Sequence, residues 1–129
     1  MITSPQQRRL LAAARAVRRQ AHAPYSRFRV GAAVLDERGR VHVGYNVENA
    51  SYGLTVCAER NAVAAAVAAG AKRIRAVAVV ADPVATPCGA CRQVIAELGP
   101  AATEIVLARP TGAPRATTLG ALLPQAFSL

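Results

Sequence analysis

The chain has 129 residues, 53% of them hydrophobic, which suits one compact domain over residues 1–129 and leaves no room for a second. Sixteen basic and seven acidic residues give a formal net charge of +9, and Lys72 is the only lysine. No apolar run is long enough to span a bilayer, and the basic N-terminal segment lacks a signal-peptide pattern, so a soluble cytoplasmic protein is expected.

The arginine-rich charge has two interpretations. One is a polyanionic partner such as RNA. The other is a compositional bias that places the arginines on solvated faces. The second is favoured because the basic segments lack the interleaved aromatic residues that stack on bases. Charge by itself therefore assigns no function, and without such aromatic residues a nucleic-acid partner is not expected.

The N-terminal segment predicts a helix from about Pro5 to about Ala21. Ser4 suits the N-cap, Pro5 the first turn and Gln7 the capping-box position. The apolar stripe that should face the core consists of Leu10, Leu11, Ala14 and Val17. The proline in AHAPYS then ends the helix.

The remaining elements alternate between strand and helix patterns. RFRVGAAVL and RVHVGYNV predict a hairpin across the turn DERG. CAERNAVAAAVAAG predicts a helix that ends at Gly70, IRAVAVVA a strand covered on both faces, CGACRQVIAELG a second helix, and TEIVLA another strand. The tail TTLGALLPQAF predicts one or two helical turns. This order indicates an α/β fold with helices packed on a mixed sheet.

All three cysteines lie in two short motifs at the starts of predicted helices. Cys57 opens the first of these helices, and Cys88 and Cys91 form a C-x-x-C pair at the start of the second. An odd, grouped set argues against a secreted disulfide framework. The partial positive charge at a helix N-terminus favours thiolates, and three ligands leave tetrahedral zinc one open position, as in catalytic sites.

Two residues beside Cys57 strengthen the metal interpretation. Glu59 lies where its carboxylate can reach a water molecule on the metal without being a ligand, and Arg60 can offset the charge of three thiolates. Alternatives remain open from spacing alone. Cys88 and Cys91 are also compatible with a redox pair or with small buried side chains, and Glu59 with a favourable charge at a helix N-terminus.

The histidines, His22 and His42, have no zinc-finger spacing to a cysteine, so a structural zinc site is not indicated. Both are expected on the surface or in loops.

The two cysteine motifs, C-A-E and P-C-x-x-C, are the three-cysteine form of the zinc deaminase signature. With APYSRFRVGAAVL, GYNVENASYGLTVCAERNAV, PCGACRQVIAEL and LLPQAF, they closely resemble the small homotetrameric cytidine deaminases that act on free nucleosides. The resemblance extends from about His22 to the C-terminus. One departure is Arg29, which stands where many relatives have proline and is expected to face solvent at a strand edge.

The resemblance implies a three-layer α/β/α sandwich with a mixed central sheet. It also implies one zinc ion per chain on Cys57, Cys88 and Cys91. Glu59 would be the proton shuttle and Arg60 would compensate the thiolate charge.

The resemblance further implies the substrate-binding residues. Asn46 and Glu48 would bind the ribose hydroxyls, Phe28 and Ala58 would contact the nucleoside, and Phe127 would stack near the base across a subunit boundary. From pattern alone, Phe28, which alternates with Val30 in a strand, is more typical of the core than of a pocket, and Asn46 is compatible with a role in the turn after the hairpin.

The function implied is hydrolytic deamination of cytidine and 2′-deoxycytidine to uridine and 2′-deoxyuridine in pyrimidine salvage, with release of ammonia. Glu59 would take a proton from water, protonate N3 and then protonate the departing amino group. A carboxylate at Glu48 would disfavour phosphate on the hydroxyl that it binds. Alternatives are a related deaminase of modified or antibiotic aminopyrimidine nucleosides or of an RNA base, and a zinc-stabilised RNA-binding module.

Overall fold

The computed structural model describes residues 1–129 and contains a five-stranded sheet with helices on both faces. The strands are β1 (Gly31–Asp36), β2 (Val41–Tyr45), β3 (Ile74–Val80), β4 (Glu104–Ala108) and β5 (Arg115–Thr118). The helices are α1 (Ser4–Val17), α2 (Ala58–Ala68), α3 (Gly89–Leu98) and the single turn α4 (Leu119–Leu122), with short 3₁₀ turns at Arg18–Gln20 and Tyr52–Leu54. None of the helices combines the length and the apolar character needed to span a bilayer.

The sheet is mixed, and its strands follow the order β2-β1-β3-β4-β5. Strands β3 and β4 are parallel, and every other neighbouring pair is antiparallel. Helix α3 forms the crossover between the two parallel strands, and α2 leads from the hairpin into β3. The predicted α/β/α sandwich with a mixed central sheet is confirmed.

The core lies on both faces of the sheet, as strand β3 shows. Ala76, Ala78 and Val80 belong to the cluster that packs against α1, whereas Val77 and Val79 belong to the cluster under α2 and α3. Because both faces are covered, this strand has no polar side chain between its second residue and its end. The predicted apolar strand is therefore confirmed.

The N-cap of helix α1 lies one residue earlier than predicted. Thr3, not Ser4, is the N-cap: its Oγ1 accepts the Gln6 N–H at 3.2 Å, and Gln6 Oε1 accepts the Thr3 N–H at 2.9 Å. Gln7 is not the capping-box partner. The predicted apolar stripe is buried as expected, and the α-helix ends at Val17, followed by the 3₁₀ turn.

Strand β5 has no counterpart among the predicted strands. It pairs with β4 at the edge of the sheet, and three of its four residues are exposed. An edge strand with little burial shows no apolar alternation, so no sequence signal marks it. The tail that follows forms one helical turn, within the predicted range.

The turn between β1 and β2 is organised by Asp36, whose side chain is fully buried. Its Oδ1 accepts the N–H groups of Arg38 and Arg40 at 2.9 Å, and its Oδ2 lies 2.8 Å from Arg40 Nε and from His42 Nε2. Burial opposes ionisation, but the hydrogen bonds from His42 and the two arginines outweigh it and hold the pKa of Asp36 well below its usual range. The expectation that His42 is a surface residue is wrong, because this carboxylate draws its side chain inward.

Six of the fifteen arginines donate hydrogen bonds to backbone carbonyl oxygens. Only two arginine–carboxylate ion pairs form, Arg40 with Asp36 and Arg109 with Asp82. The arginines of this group are exposed or half-buried, and they also fasten loops and helix ends through these hydrogen bonds. The six donors are Arg9, Arg15, Arg18, Arg40, Arg60 and Arg92.

Helix α2 rests directly on strand β2 at Gly44. A Cβ atom at this position would lie 2.6 Å from the Ala58 carbonyl oxygen and 2.8 Å from the Asn61 carbonyl carbon, closer than any side chain tolerates. Asn61 adds a hydrogen bond from its Nδ2 to the Tyr45 carbonyl oxygen at 2.8 Å. The backbone contact therefore requires glycine and fixes the first turns of α2 against the sheet.

We expect Gly44→Ala to lower the free energy of unfolding by about 3 kcal/mol, because the added methyl group meets backbone atoms that cannot rotate away. Urea unfolding of the purified variant measures this loss. Gly53→Ala is the matched control, since a Cβ at Gly53 meets nothing within 4 Å. Equal unfolding midpoints for the two variants would contradict the role given to the contact.

We expect Asp36→Asn to lower the free energy of unfolding at pH 7 by about 3 kcal/mol, because Arg40 and His42 lose a buried carboxylate partner. The low folded pKa of Asp36 implies that this stability is present above the unfolded pKa of about 3.9 and is lost as the pH falls below it. Stability measured from pH 7 to pH 2 should fall less steeply in the variant. Asp82→Asn, at an exposed ion pair, should change little; parallel profiles for wild type and Asp36→Asn would contradict the assignment.

Candidate active site

The three cysteine side chains meet at one place. Their Sγ atoms all lie within 4.8 Å of one another, and those of Cys88 and Cys91 are 3.4 Å apart. Tetrahedral zinc with Zn–S bonds of about 2.3 Å places its sulfur ligands about 3.8 Å apart. No cysteine is in a disulfide, so the cluster fits a zinc ion with three sulfur ligands.

Two of these cysteines are the N-caps of their helices. Cys57 precedes the first residue of α2, and Cys88 precedes the first residue of α3; both have extended backbone, and neither side chain caps its helix. Cys91 lies in the first turn of α3 and is buried. The first-turn N–H groups of both helices thus provide partial positive charge beside the sulfur atoms, which stabilises thiolates. The N-termini of α2 and α3 therefore converge on one site.

The electrostatic surroundings favour the thiolate form most strongly at Cys57. A hydrogen bond from the Cys91 thiol, together with the Arg60 guanidinium, lowers the pKa of Cys57 to about 5. The same hydrogen bond and burial raise the pKa of Cys91. Arg60 Nη2 lies 3.7 Å from Cys57 Sγ and 3.3 Å from the Thr55 carbonyl oxygen. At this distance the positive charge of Arg60 can offset the negative charge of the Cys57 thiolate.

Glu59 lies beside the cysteine cluster without belonging to it. It is the second residue of α2, its side chain is only 5% exposed, and the group able to hold a metal consists of the three cysteines alone. Burial raises the pKa of Glu59, and the negative charge of Cys57 raises it further. A carboxyl group in such surroundings binds and releases a proton more readily near neutral pH than one in water.

A cavity of about 200 Å³ opens beside Glu59. Six of the predicted site residues line it: Phe28, Asn46, Cys57, Ala58, Glu59 and Cys88. The walls also contain residues that the sequence did not single out, namely Val30, Thr55, Val79, Ala85 and Thr86.

The two threonines of the cavity share a position that the sequence does show. Thr55 stands two residues before Cys57, and Thr86 stands two residues before Cys88, so the motif T-x-C occurs at both ligand-bearing helix starts. Each threonine lies in the loop that leads into its helix and therefore faces the same cavity. The repeated spacing is the signal by which both could be found.

Asn46 is 8% exposed and holds the segment that contains Phe28. Its Nδ2 donates to the Phe28 carbonyl oxygen at 2.8 Å, and its Oδ1 accepts the Val30 N–H at 2.9 Å. These bonds take the place of strand pairing, which explains why β1 begins at Gly31 and not at Arg27 as predicted. Arg29, within this segment, is exposed as expected.

Glu48 does not line the cavity; its carboxylate binds the loop before Phe28. Oε1 accepts the N–H groups of Tyr25 at 3.0 Å and Ser26 at 3.1 Å, and Oε2 accepts the Ser26 hydroxyl. The hydrogen bond from the Ser26 side chain, with those from the two backbone N–H groups, lowers the pKa of Glu48. The ribose-binding role of Glu48 stays a prediction.

Phe127 lies apart from the cavity of its own chain. Its side chain is 71% exposed, and its carbonyl oxygen accepts a hydrogen bond from Gln93 Nε2 at 2.9 Å, which holds the C-terminal tail beside α3. The stacking role of Phe127 across a subunit boundary stays a prediction. Of the histidines, His22 lies in an exposed loop as expected.

Comparison with known proteins gives consistent matches. The family model described as the cytidine and deoxycytidylate deaminase zinc-binding region matches residues 4–108. A cytidine deaminase of Halalkalibacterium halodurans is 54% identical over 114 residues, which cover 86% of each chain.

Solved structures agree with this match. The crystal structure of cytidine deaminase from Burkholderia pseudomallei is 49% identical, has a TM-score of 0.88 and covers 98% of this chain and 100% of that chain. That of Mycobacterium tuberculosis is 44% identical, with a TM-score of 0.82 and coverage of 95% and 98%. The chain therefore belongs to the cytidine and deoxycytidylate deaminase family, whose matched region binds zinc.

Proposed function

We propose that the protein catalyses the hydrolytic deamination of cytidine and 2′-deoxycytidine to uridine and 2′-deoxyuridine, with release of ammonia, in pyrimidine salvage. The observation that carries the proposal is the buried carboxyl group of Glu59, which faces a cavity whose wall also contains Cys57 and Cys88. The relatives with about half of their residues identical to this chain are cytidine deaminases.

Zinc is the cofactor, and Cys57, Cys88 and Cys91 would hold it. Bound zinc supplies Lewis-acid activation of the attacking water molecule. Arg60 donates a hydrogen bond to Cys57 and so reduces the negative charge that three thiolates place on the site. The first-turn N–H groups of α2 and α3 act in the same direction.

Glu59 carries the protons in this reaction. Its carboxylate accepts one proton from the water that adds to C4 of the base and delivers it to N3, which makes C4 more electrophilic. Glu59 then takes the remaining proton of the added hydroxyl group and passes it to the amino nitrogen. The C4–N bond breaks, ammonia leaves, and the carbonyl group of uridine forms. Low exposure of Glu59 keeps these protons from exchanging with bulk solvent.

The other residues would hold the nucleoside. Phe28 and Ala58 provide apolar wall for the base, and Asn46 lines the same cavity. Glu48 receives three hydrogen bonds from the loop, and a carboxylate has about four lone-pair positions, so capacity remains for a ribose hydroxyl. A phosphate group there would bring two negative charges together, which favours free nucleosides over polynucleotides.

We expect Glu59→Ala to reduce kcat for cytidine by about 1,000-fold or more, because proton transfer to N3 and to the amino group is lost. Zinc should stay near one ion per chain, since Glu59 is outside the sulfur cluster. The loss of absorbance on conversion of cytidine and the release of ammonia measure turnover, and elemental analysis measures zinc. Glu97→Gln, at an exposed position on α3, is the control. Turnover like that of wild type in Glu59→Ala would refute the proposed function.

The active form is proposed to be a homotetramer with shared active sites. The cavity of one chain, about 200 Å³, is below the size of about 300 Å³ at which ligand pockets usually begin. Large apolar side chains are exposed on the same chain, among them Tyr52 at 76%, Leu54 at 66% and Phe127 at 71%. A neighbouring copy would cover such side chains and would supply Phe127 to the cavity.

We expect inactive Glu59→Ala and weakened Phe127→Ala chains to complement each other when they are co-expressed. In a shared site, some cavities would combine an intact Glu59 with an intact Phe127 from the other chain. Activity of the mixture should exceed that of either variant alone, and sedimentation should show four chains. A monomeric protein, or a mixture no more active than the average of its parts, would contradict site sharing.

The cytoplasm is the proposed location. The three cysteines are free, although their Sγ atoms lie within 4.8 Å of one another. Zinc binding requires reduced cysteines, and a reducing compartment keeps them from forming disulfides.

A further inference from the structure

The Ser26 hydroxyl lies between two residues of the candidate site. Its Oγ donates a hydrogen bond to Glu48 Oε2 and accepts the Phe28 N–H at 2.9 Å. Glu48 lies outside the cavity and Phe28 lines it. One hydroxyl group therefore joins the carboxylate proposed for the ribose to the aromatic wall proposed for the base.

Backbone hydrogen bonds fix the beginning of this loop independently of Ser26. The His22 N–H donates to the Asn46 carbonyl oxygen at 2.9 Å, and the Glu48 N–H donates to the His22 carbonyl oxygen at 2.8 Å. The loop therefore keeps its place on the sheet when the hydroxyl is removed. The Tyr25 and Ser26 N–H groups hold Glu48 Oε1, and the Ser26 hydroxyl adds a bond to Oε2 that fixes the rotation of the carboxylate, as well as the bond to the Phe28 N–H.

The residue between Ser26 and Phe28 shows why this orientation has to be held. Arg27 has a φ of +60°, the left-handed region that non-glycine residues adopt only when their surroundings impose it. The Arg27 N–H donates to the Ala23 carbonyl oxygen at 2.9 Å, and the Ser26–Phe28 hydrogen bond spans the strained residue. Asn46 holds the Phe28 carbonyl oxygen and the Ser26 hydroxyl holds the Phe28 N–H. Without the Ser26 bond, Phe28 keeps one of these two anchors, and the relaxation of Arg27 can rotate the Phe28 ring in the cavity.

We propose that Ser26 is a positioning residue that sets Glu48 and Phe28 in one alignment for the nucleoside. The inference rests on the proposed function, because it assigns to Ser26 the arrangement of groups that would bind the substrate of that reaction. The side chain at position 26 must donate one hydrogen bond and accept another at the same time. Serine and threonine can do this, and alanine cannot.

The effect of Ser26 should appear in KM and not in kcat. Ser26 has no contact with Glu59 or with the cysteines, so proton transfer at the base is untouched once the substrate is bound. Loss of groups that bind substrate and transition state equally raises KM alone. A residue that only stabilised the fold would lower the amount of active protein and leave KM unchanged.

The test is steady-state kinetics with cytidine on the zinc-loaded, full-length protein. Ser26→Ala should raise KM about tenfold with kcat within about twofold, as expected for loss of a hydrogen bond to a charged group. Ser26→Thr should restore most of the lost affinity. Ser4→Ala, at an exposed serine at the start of α1, should match wild type.

A double-mutant cycle with Glu48→Gln tests whether Ser26 acts through the carboxylate. Coupled residues have non-additive effects, so Ser26→Ala should raise KM much less in the Glu48→Gln protein than in wild type. Equal increases in both backgrounds, an unchanged KM in Ser26→Ala, or a loss confined to kcat would each overturn the inference. If Ser26→Ala does not fold, a Ser26→Thr protein with the KM of wild type supports it, and one with a tenfold higher KM overturns it. Wild-type protein that does not deaminate cytidine would instead refute the proposed function, and the inference with it.

Discussion

The close approach of helix α2 to strand β2 at Gly44 is the constraint on which the site depends. The first turn of α2 carries Glu59 and follows Cys57, and the backbone contact with β2 leaves this turn no freedom to slide. The chain beyond β2 continues directly to Asn46 and Glu48. One contact between two backbones therefore sets the distance between the proton-transferring carboxyl group and the groups proposed to hold the nucleoside. The second half of the site, on α3, joins it because β2 and β3 are both antiparallel to β1 and therefore end at the same edge of the sheet, where α2 follows β2 and α3 follows β3.

Charged side chains in this protein bind the backbone more often than they bind each other. Six arginines donate to carbonyl oxygens, and four carboxylates, those of Asp36, Glu37, Glu48 and Glu104, accept backbone N–H groups. Loops and helix ends leave such backbone groups without partners, and a charged side chain satisfies them more strongly than a neutral one. The excess of arginine over acidic residues thus has a structural use, which composition alone does not reveal.

What the sequence could predict is what depends on neighbours in the chain. The helices, four of the strands and the cysteine motifs follow from periodicity and short spacing, and so does the closeness of Glu59 to the sulfur cluster. The loop contacts of Glu48 depend on partners more than 20 residues away in the chain. The inward turn of the His42 side chain depends on a bond across the hairpin to Asp36, and the edge strand β5 has no apolar alternation to mark it. The sequence was ambiguous at the start of α1, because Thr3 and Ser4 are both suitable N-cap residues. Only the backbone geometry shows that Thr3 is the N-cap. The T-x-C pairing of Thr55 and Thr86 was visible but acquires meaning only once both loops face one cavity.

The long-range side-chain contacts with the backbone also bear on how the molecule folds and unfolds. Arg15 reaches the carbonyl oxygen of Gly112, 97 residues away, and Glu104 reaches the N–H of Ile2, 102 residues away. Neither bond can form until the sheet has brought these segments together, so we expect both to form late in folding. Contacts made after the transition state do not accelerate folding; they slow unfolding. We therefore expect the contacts of Arg15 and Glu104 to lengthen the lifetime of the folded chain, whereas the sheet sets the rate at which it forms.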